Sequence, residues 1–347
     1  MPNLKAKKPL VTIIVINYNG LTDTRNCLLS VLKTNYLNYA ILLIDNGSKQ
    51  NEIELLKKEF TDKKILFKRF NRNLGFTGAI NKVVKDINTK YIVFLNNDTK
   101  VTPNWLNHLV TAAESDTSIA ACQSKVLLMD NPKQFDYTGA CGGFIDKYGY
   151  PFTRGRIFYT TEKDKGQFDK KRDIFWASGA CMLVRRDLFI DEGMFDNSFF
   201  IYMEEIDICW RFLQQGYKIK SVPKSVIYHK VAASAKKNMF KKIFYEHRNN
   251  LVMVTKNLST QDLFTILPRR VIFEMLSSLF YLSKLNFTAF TALFFAHVSY
   301  IFLFPKIIKS RKKKLKNIMT FAPLVYNRSI AFQYFLFKKT RFFQIIK

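Results

Sequence analysis

The position of Asp98, just after a long apolar run, suggests chemistry. Five apolar residues run from Tyr91 to Leu95, and Asn96, Asn97 and Asp98 follow them directly. A continuous apolar run of this length predicts a strand that is buried on both faces, as in a parallel sheet. Ligands of open α/β sheets bind just beyond the carboxyl ends of the strands. A carboxylate there suits Mg²⁺ or Mn²⁺ held jointly with phosphates, although Asn-Asn-Asp is also a common turn sequence.

A second group, of three carboxylates, could perform acid–base chemistry. Glu204, Glu205 and Asp207 follow the largely aromatic run of residues 199–203. Their position predicts the first turn of a helix that ends at about Gln215. Acidic side chains in a first helical turn are stabilised by the helix dipole, so a purely structural role is the alternative.

The elements that must position these groups alternate in type. Strands are predicted over residues 10–16, 39–44, 65–70 and 91–95, and helices over 21–32 and 52–60. This alternation predicts a parallel sheet with helices on both faces. The loops after the strands contain Asn17, Asp45, Asn73 and Asp98, which such a sheet brings to one edge. Asx residues are common in turns whatever their function. The prediction of a site therefore rests on the convergence of these residues at one edge and not on their types alone.

The pattern after residue 104 is less regular. Residues 105–149 have no clear period, and residues 148–171 predict a polar loop or a short hairpin. The small residues 177–180 either admit a ligand close to the backbone or simply allow tight packing. His229 ends a short apolar run, where a lone histidine is usually not a ligand. The basic segment that follows is either a closing loop or a plain connector.

Charge and cysteine content limit the class of protein. The 347 residues carry a formal net charge of +28, which indicates an anionic partner such as a membrane surface or phosphorylated substrates. The five cysteines are scattered without a Cys-x-x-Cys pair, so a reducing compartment is expected, and the N-terminus lacks the apolar core of a secretory signal. No nucleic-acid-binding motif accompanies the charge, so nucleic acid is not an expected partner. Asn-Tyr-Asn-Gly after the first strand is not the glycine pattern of a nicotinamide-binding oxidoreductase.

Several ordered segments resemble the motifs of family-two glycosyltransferases of the GT-A fold. They are residues 11–20, 43–48, 73–81, 95–99 and 193–211. The last segment is most similar to rhamnosyltransferase-like members, and the likeness covers residues 10 to about 255. The resemblance implies an α/β fold with a mostly parallel GT-A type sheet flanked by helices.

The resemblance also implies roles for single residues. Asp45 would bind the base or ribose of the donor, Asp98 and His229 would hold Mg²⁺ or Mn²⁺, and Glu205 would be the general base. Glu204 is the rival base, and Asp207 is the third catalytic carboxylate. The same motifs imply donor-binding roles for Asn17, Tyr18, Asn19, Asn73, Gly78, Asn81, Asn96 and Asn97. Trp176, Gly179 and Arg211 are expected near the acceptor or in support of the site.

The family signature predicts an inverting, metal-dependent hexosyl transfer, with rhamnosyl as one option. The donor would be a nucleotide-diphosphate sugar, and the acceptor a lipid-linked or polysaccharide glycan in surface glycan synthesis. Two positions depart from the family pattern, because Asn96 stands where an aspartate is usual and Glu205 where the base is usually aspartate. The alternative is therefore a nucleotide-sugar binder without catalytic activity that acts as an assembly partner.

The composition changes after the predicted transferase domain, and we expect a boundary between residues 1–240 and a helical, basic segment of residues 241–347. Residues 287–304 contain no charge, which is barely long enough to span a bilayer. A single crossing would place the basic run at 311–314 opposite a cytoplasmic catalytic domain, and Glu274 and Lys284 interrupt a second span. Helices lying in the membrane interface are therefore expected, on the cytoplasmic face of the inner membrane. The alternative is a helical subdomain packed on the sheet.

Overall fold

The computed structural model describes residues 10–230, 239–312 and 314–346, and most of the basic segment after His229 lies outside these ranges. Two sheets form the framework. The strands are β1 (Val11–Asn17), β2 (Tyr39–Asp45), β3 (Ile65–Arg69), β4 (Tyr91–Asn96), β5 (Thr99–Val101), β6 (Ile119–Leu128), β7 (Gly143–Asp146), β8 (Pro151–Thr153), β9 (Arg156–Ile157), β10 (Thr160–Thr161), β11 (Arg172–Ile174), β12 (Cys181–Arg185), β13 (Lys218–His229) and β14 (Val325–Tyr326).

Helices cover the sheets and build the C-terminal part. They are α1 (Leu21–Val31), α2 (Glu52–Glu59), α3 (Gly75–Asn81), α4 (Trp105–Glu114), α5 (Arg186–Asp191), α6 (Glu204–Gln214), α7 (Met239–Asn257), α8 (Thr260–Ser283), α9 (Phe287–Ser310) and α10 (Ile330–Phe335). Short 3₁₀ turns occupy Val84–Asp86, Ile318–Phe321 and Phe342–Gln344. The predicted early helices agree with α1 and α2 to within one residue at their ends.

The large sheet is parallel in the half that the alternating pattern predicted. Strands β3, β2, β1 and β4 lie in that order and pair in parallel. Its other half is mixed, because β12 runs antiparallel to both β4 and β6, while β13 pairs in parallel with β6. Short strands β11 and β5 pair antiparallel with β13. The apolar runs of β1 and β4 are almost completely buried, as strands covered on both faces must be.

Residues 105–149 are more regular than their sequence pattern indicates. They contain α4 and the ten-residue strand β6, in which nine residues are buried. Residues 148–171 contribute β8, β9 and β10 to a second sheet, whose order is β10-β9-β8-β7-β14. Strands β8, β9 and β10 pair antiparallel in sequence, so the short-hairpin alternative for this region is the one that the structure shows.

The C-terminal chain returns to the second sheet. Val325 pairs with Ile145 through β14, and the Phe342 ring packs on Phe144 with centroids 5.1 Å apart. The boundary at residues 240 and 241 stays a prediction, and these contacts show that the two parts share a packed interface.

Two of the charges that break the apolar pattern of the C-terminal helices lie inside the protein, whereas Lys284 is exposed. Arg270 and Glu274 on α8 are 0% and 2% exposed, and they form an ion pair of 2.7 Å. Glu274 also contacts His247 on α7 at 2.6 Å. Of the described helices, α9 alone is long and apolar enough to cross a membrane, and 28% of its most apolar window is buried. The outward faces of α8 and α9 carry many exposed large apolar side chains.

Candidate active site

The carboxyl ends of β1, β2 and β4 lie side by side at one edge of the large sheet. Asn17 pairs in register with Asp45, and Ile16 pairs with Asn96 on the other side. Asn73 joins this edge because Asn46 Nδ2 donates a hydrogen bond of 3.1 Å to its Oδ1. The polar loops that the topology was expected to gather are therefore neighbours in space.

Asp45 is buried at this edge with one carboxylate oxygen available. Its Oδ1 accepts hydrogen bonds from Ser48 Oγ at 2.5 Å and from Ser48 N at 3.2 Å. Its Oδ2 has no hydrogen-bond partner among the described residues, and Arg69 Nε lies 3.4 Å away. An unpaired buried oxygen costs free energy, which a donor group of a ligand would recover.

The turn after β1 divides into a structural part and an exposed part. Asn17 is fully buried; its Nδ2 donates to Glu52 Oε2 at 2.8 Å, and its Oδ1 accepts from Thr24 at 2.8 Å. Asn19 adopts a left-handed φ of 52°, which asparagine tolerates, and its Oδ1 accepts from the Lys49 amide. Tyr18 between them is 47% exposed at the rim. Asn19 is exposed as well, so Tyr18 and Asn19 both lie at the rim of this edge.

The expected donor residues of α3 are engaged within the protein. Asn81 Nδ2 donates to Phe195 O at 2.6 Å, and Asn81 Oδ1 accepts from Phe195 N at 3.2 Å. A Cβ at Gly78 would approach Leu74 Cβ to 3.2 Å, a tight contact that favours glycine at this position. The geometry favours a structural role for both residues.

Asp98 and His229 meet because β5 turns the chain back onto β13. Thr99 pairs with His229 across this antiparallel contact, and Lys230 N donates to Asp98 O at 2.9 Å. His229 Nε2 then lies 3.0 Å from Asp98 Oδ1, and the His229 side chain is 5% exposed. The two atoms are close without hydrogen-bond geometry, since Asp98 Oδ1 has no partner of acceptable angle in the described structure.

Asp98 and His229 have the side chains that could together ligate a divalent cation. A carboxylate and an imidazole are suitable protein ligands for Mn²⁺, and Mg²⁺ commonly takes only one or two carboxylates with substrate phosphates completing its shell. Asn96 Nδ2 is 3.4 Å from His229 Nε2, whereas Asn97 Nδ2 donates to Thr24 Oγ1 at 2.9 Å. Among the described residues, no group of three or more His, Cys, Asp or Glu side chains could hold a metal alone. The orphaned Asp98 oxygen is the observation that supports a cation here.

His229 is held on its other side by a residue that the sequence did not reveal. Asp136 is fully buried, and its Oδ2 lies 3.2 Å from His229 Nδ1. Burial acts to lower the pKa of His229, but the hydrogen bond with Asp136 and the negative charges of Asp136 and Asp98 outweigh it and raise that pKa to about 10. The His229 ring thus lies between two carboxylates, with Asp98 at Nε2 and Asp136 at Nδ1.

Glu204 and Glu205 begin α6, and each has one buried oxygen without a partner in the described parts of the chain. Glu204 is 5% exposed and Glu205 is half-buried. Burial raises the pKa of Glu205 to about 7, against the lowering effect of hydrogen bonds from its own backbone and those of Met203 and Gly179. Burial and the charge of Glu205 raise the pKa of Glu204 well above its ordinary value. Glu205 is therefore the more accessible carboxylate, and it titrates near neutrality.

A strained loop delivers these carboxylates. Phe200, Tyr202 and Met203 all adopt left-handed φ angles of 64–72°, which are unfavourable for such side chains. The buried Asn249 on α7 holds the loop by donating to the carbonyls of Phe199, Ile201 and Tyr202 at 2.8–2.9 Å. Strain of this kind persists only where the surroundings enforce it, and it is concentrated at functional sites.

Asp207 and Arg211 belong to a separate ion-pair network. Asp207 accepts from Arg211 Nε at 2.9 Å, from Lys256 Nζ at 3.3 Å and from Asn257 Nδ2 at 2.8 Å. Residues two positions apart on a helix do not share a face, so Asp207 cannot point with Glu205. Arg211 also donates to Met194 O at 2.6 Å. These contacts favour a structural role for both residues, and their expected site roles stay predictions.

Gly179 connects the carboxylates to the sheet edge, whereas Trp176 is part of the core. The Asn96 amide donates to Ala180 O at 3.2 Å, and the backbone of Gly179 hydrogen-bonds Glu205. Asn96 and Glu205 therefore flank the same short segment. Trp176 is 4% exposed, and its Nε1 donates to Phe144 O at 2.9 Å, which favours packing over ligand contact.

The sequence is similar to those of known glycosyltransferases. The sequence model of the family described as "Glycosyl transferase family 2" matches residues 12–193. "O-antigen biosynthesis protein RfbC" of Myxococcus xanthus is 26% identical over 232 residues, which are 65% of this chain and 18% of that protein. "N-acetylglucosaminyl-diphospho-decaprenol L-rhamnosyltransferase" of Mycobacterium tuberculosis is 22% identical over 263 residues, which are 71% of this chain and 84% of that protein. This chain thus spans less than a fifth of the first relative and most of the second.

Solved structures show a similar fold. GalNAc-T7 with UDP, GalNAc and Mn²⁺ superposes with a TM-score of 0.57 at 16% identity, covering 74% of this chain and 49% of that chain. The mannosyltransferase PcManGT from Pyrobaculum calidifontis, in complex with GDP-Man and Mn²⁺, gives 0.51 at 12% identity, covering 92% and 83%. These likenesses confirm the predicted GT-A type architecture.

Proposed function

This chain belongs to glycosyl transferase family 2, and from that premise we propose that it transfers a sugar, with inversion and in a metal-dependent reaction, from a nucleoside-diphosphate donor to an acceptor hydroxyl. The observation that carries the proposal is the set of buried carboxylate oxygens without partners at one sheet edge. They belong to Asp45, Asp98 and Glu205. Such atoms are rare in native proteins, and these lie where GT-A ligands would be expected to bind.

Each of these residues has one task in the proposed reaction. Asp45 Oδ2 accepts a hydrogen bond from the donor nucleoside. Asp98 and His229 would hold Mg²⁺ or Mn²⁺, which when bound would offset the negative charge of the diphosphate. Glu205 Oε2 takes the proton of the acceptor hydroxyl, whose oxygen forms a bond to the anomeric carbon as the bond to the diphosphate breaks. Glu205 is partly exposed whereas Glu204 is buried, which supports Glu205 over Glu204 as the base.

The rate is expected to increase with pH through about 7 and to level off above it. Glu205 accepts a proton only when ionised, and burial raises its pKa to about 7. Release of nucleoside diphosphate measured between pH 5.5 and 9 at saturating Mn²⁺ gives this profile. A rate that is flat, or that falls as pH rises from 6 to 8, contradicts the assignment of Glu205 as base.

The donor sugar is proposed to be a hexose or a 6-deoxyhexose such as rhamnose, and the name of the mycobacterial relative, an L-rhamnosyltransferase, supports this proposal. The test is a panel of nucleotide sugars incubated with purified protein and Mg²⁺ or Mn²⁺. Metal-dependent release of nucleoside diphosphate from any of them supports an enzyme. Binding of a nucleotide sugar without release would instead support the assembly-partner alternative.

The acceptor is proposed to be lipid-linked or part of a surface polysaccharide, with the protein bound in plane to the cytoplasmic face of the inner membrane. The relatives' names include a decaprenol-linked acceptor and O-antigen synthesis. On α8 and α9, Phe264, Leu279, Phe294 and Phe302 are between 56% and 81% exposed. Glu274 is the one acidic residue after Asp262, among many lysines and arginines. An apolar face flanked by cations is complementary to an anionic bilayer.

Replacing Phe302 with serine is expected to weaken binding to vesicles of phosphatidylcholine and phosphatidylglycerol by about tenfold, since a buried Phe contributes about 1.5–3 kcal/mol. Phe302 is 81% exposed on α9, and Leu37, at 83%, is exposed on the catalytic part of the chain. Leu37→Ser is therefore the matched control and should bind vesicles like the wild type. Equal binding by both variants in a sedimentation assay would exclude α9 as the membrane-facing element.

A further inference from the structure

Asp136 lies behind His229 in the turn that follows β6, outside every sequence motif considered above. Its backbone N donates to Val126 O at 3.0 Å, which ties the turn to β6. Its Oδ1 accepts from the Thr138 amide at 2.6 Å and from the Thr138 hydroxyl. These bonds fix the carboxylate plane and leave Oδ2 for His229 Nδ1, 3.2 Å away.

This contact decides which nitrogen of His229 can bind a ligand. A carboxylate accepts hydrogen bonds and does not donate them, so it requires the proton of the neutral imidazole to be on Nδ1. In the neutral ring, which forms when a cation displaces the Nε2 proton, the lone pair is then on Nε2, and Nε2 lies 3.0 Å from Asp98 Oδ1. We infer that Asp136 is a positioning residue, which sets the tautomer and ring orientation of His229 so that Nε2 can ligate the divalent cation.

The arrangement argues against Asp136 as a ligand in its own right. It contacts the Nδ1 side of the ring, whereas Asp98 and Asn96 contact the Nε2 side. Both of its oxygens already have partners, in contrast to Asp98 Oδ1. Metal-bound histidines characteristically donate their second N–H to such a carboxylate. The inference rests on the proposed metal-dependent function and adds a residue to it.

Asp136→Asn is the informative substitution, because it changes the chemistry at constant shape. The Thr138 amide is a donor, so the new amide oxygen must stay toward Thr138 and the NH₂ group must face His229. Nδ1 then has to accept, and the proton moves to Nε2, where it blocks the lone pair. We expect the affinity for Mn²⁺ to fall about 10–100-fold, as for other supporting partners of metal ligands.

The chain offers a matched control at Asp116. Its Oδ1 accepts from the Ser118 amide at 2.8 Å and from the Ser118 hydroxyl at 2.7 Å, which repeats the turn of Asp136 and Thr138 without a histidine. Asp116→Asn therefore makes the same chemical change in the same turn geometry. Its Mn²⁺ affinity should equal that of the wild type.

Mn²⁺ binding is measured directly, by the electron paramagnetic resonance signal of free Mn²⁺, with full-length protein and a nucleoside diphosphate but without sugar donor or acceptor, and the same mixture without protein is the blank. Asp136→Glu keeps the carboxylate and should bind Mn²⁺ more tightly than Asp136→Asn, with unfolding midpoints recorded for each. Two results would overturn the role of Asp136 and leave the proposed metal dependence intact. One is an equal loss in Asp136→Asn and Asp136→Glu; the other is wild-type affinity in Asp136→Asn while Asp98→Ala loses binding. Absence of Mn²⁺ binding by the wild type would overturn the metal dependence of the proposed function as well.

Discussion

Replacing Glu205 with glutamine is expected to reduce sugar transfer by about 10²–10⁴-fold, the usual contribution of a general base. The substitution keeps the size of the side chain and removes the carboxylate that is proposed to accept the acceptor's proton. Turnover is measured as nucleoside diphosphate released per enzyme with the best donor of the panel. The affinity for donor, which Glu205 is not proposed to contact, should change little.

Loss of fold can be separated from loss of chemistry at this position. The pKa of Glu205 is raised in the folded protein, so its ionisation opposes folding progressively above the ordinary pKa of a glutamate and fully above about pH 7. Glu205→Gln removes that cost, so its unfolding midpoint at pH 8 should not lie below that of the wild type. Glu204→Gln is the comparison, because Glu204 is more deeply buried. Normal transfer by Glu205→Gln, with an inactive Glu204→Gln, would reassign the base to Glu204.

Replacing Asp98 with alanine is expected to lower metal-dependent turnover by at least about 10²-fold, comparable to losing one preorganised charge-stabilising group. Asp98 contributes the buried oxygen without a partner beside His229. The rate is measured as a function of Mn²⁺ concentration, with chelator as the blank. The loss should persist at high Mn²⁺ if the remaining His229 cannot hold the cation in place.

Asp130→Ala provides the control for Asp98. Asp130 is an exposed aspartate soon after β6 and has no place in the proposed site. Its removal changes the net charge by the same amount, so its rate should match the wild type. A similar loss in both variants would indicate a general electrostatic effect, and an unchanged rate in Asp98→Ala would remove Asp98 from the mechanism.

The parallel half of the sheet was predictable because its strands are uniformly apolar. β1 and β4 are covered on both faces, and their polar ends are a direct consequence of where the apolar runs stop. Both ends of α6 were predictable from local sequence. Acidic residues mark its first turn at Glu204, and Gly216, with a φ of 90°, follows its C-terminal end. The contact between Asp98 and His229 was implied by the resemblance, and the pairing of β5 with β13 supplies its physical basis.

β6 was not predictable because its middle is polar yet buried. Gln123 donates to Gly139 O at 2.9 Å, and Lys125 pairs with Asp164 at 2.7 Å. Partners so distant in sequence satisfy polar groups that would otherwise oppose burial, and no local pattern encodes them. The resulting antiparallel insertion of β12 between β4 and β6 was invisible for the same reason.

The candidate site shows the same limit. Asp136 is a lone aspartate in a turn, and its contact with His229 depends on the path of β13. Asp207 and Asn81 match motifs by position, but helix geometry and the Phe195 loop engage them in structural contacts. The motif positions thus indicated where to expect a site. The roles proposed for single residues depend on which carboxylate oxygens have no partner in the described structure.

Four residues are proposed to line one cleft that holds a cation and a diphosphate: Asp45, Asp98, Glu205 and His229. The most direct test is anomalous diffraction at the manganese edge from crystals grown with Mn²⁺ and the nucleoside diphosphate of the preferred donor. We predict a manganese peak bridging Asp98, His229 Nε2 and the diphosphate, with the nucleoside at Asp45 and Glu205 facing the terminal phosphate. A peak away from Asp98 and His229, or a diphosphate bound out of reach of Glu205, would contradict the account.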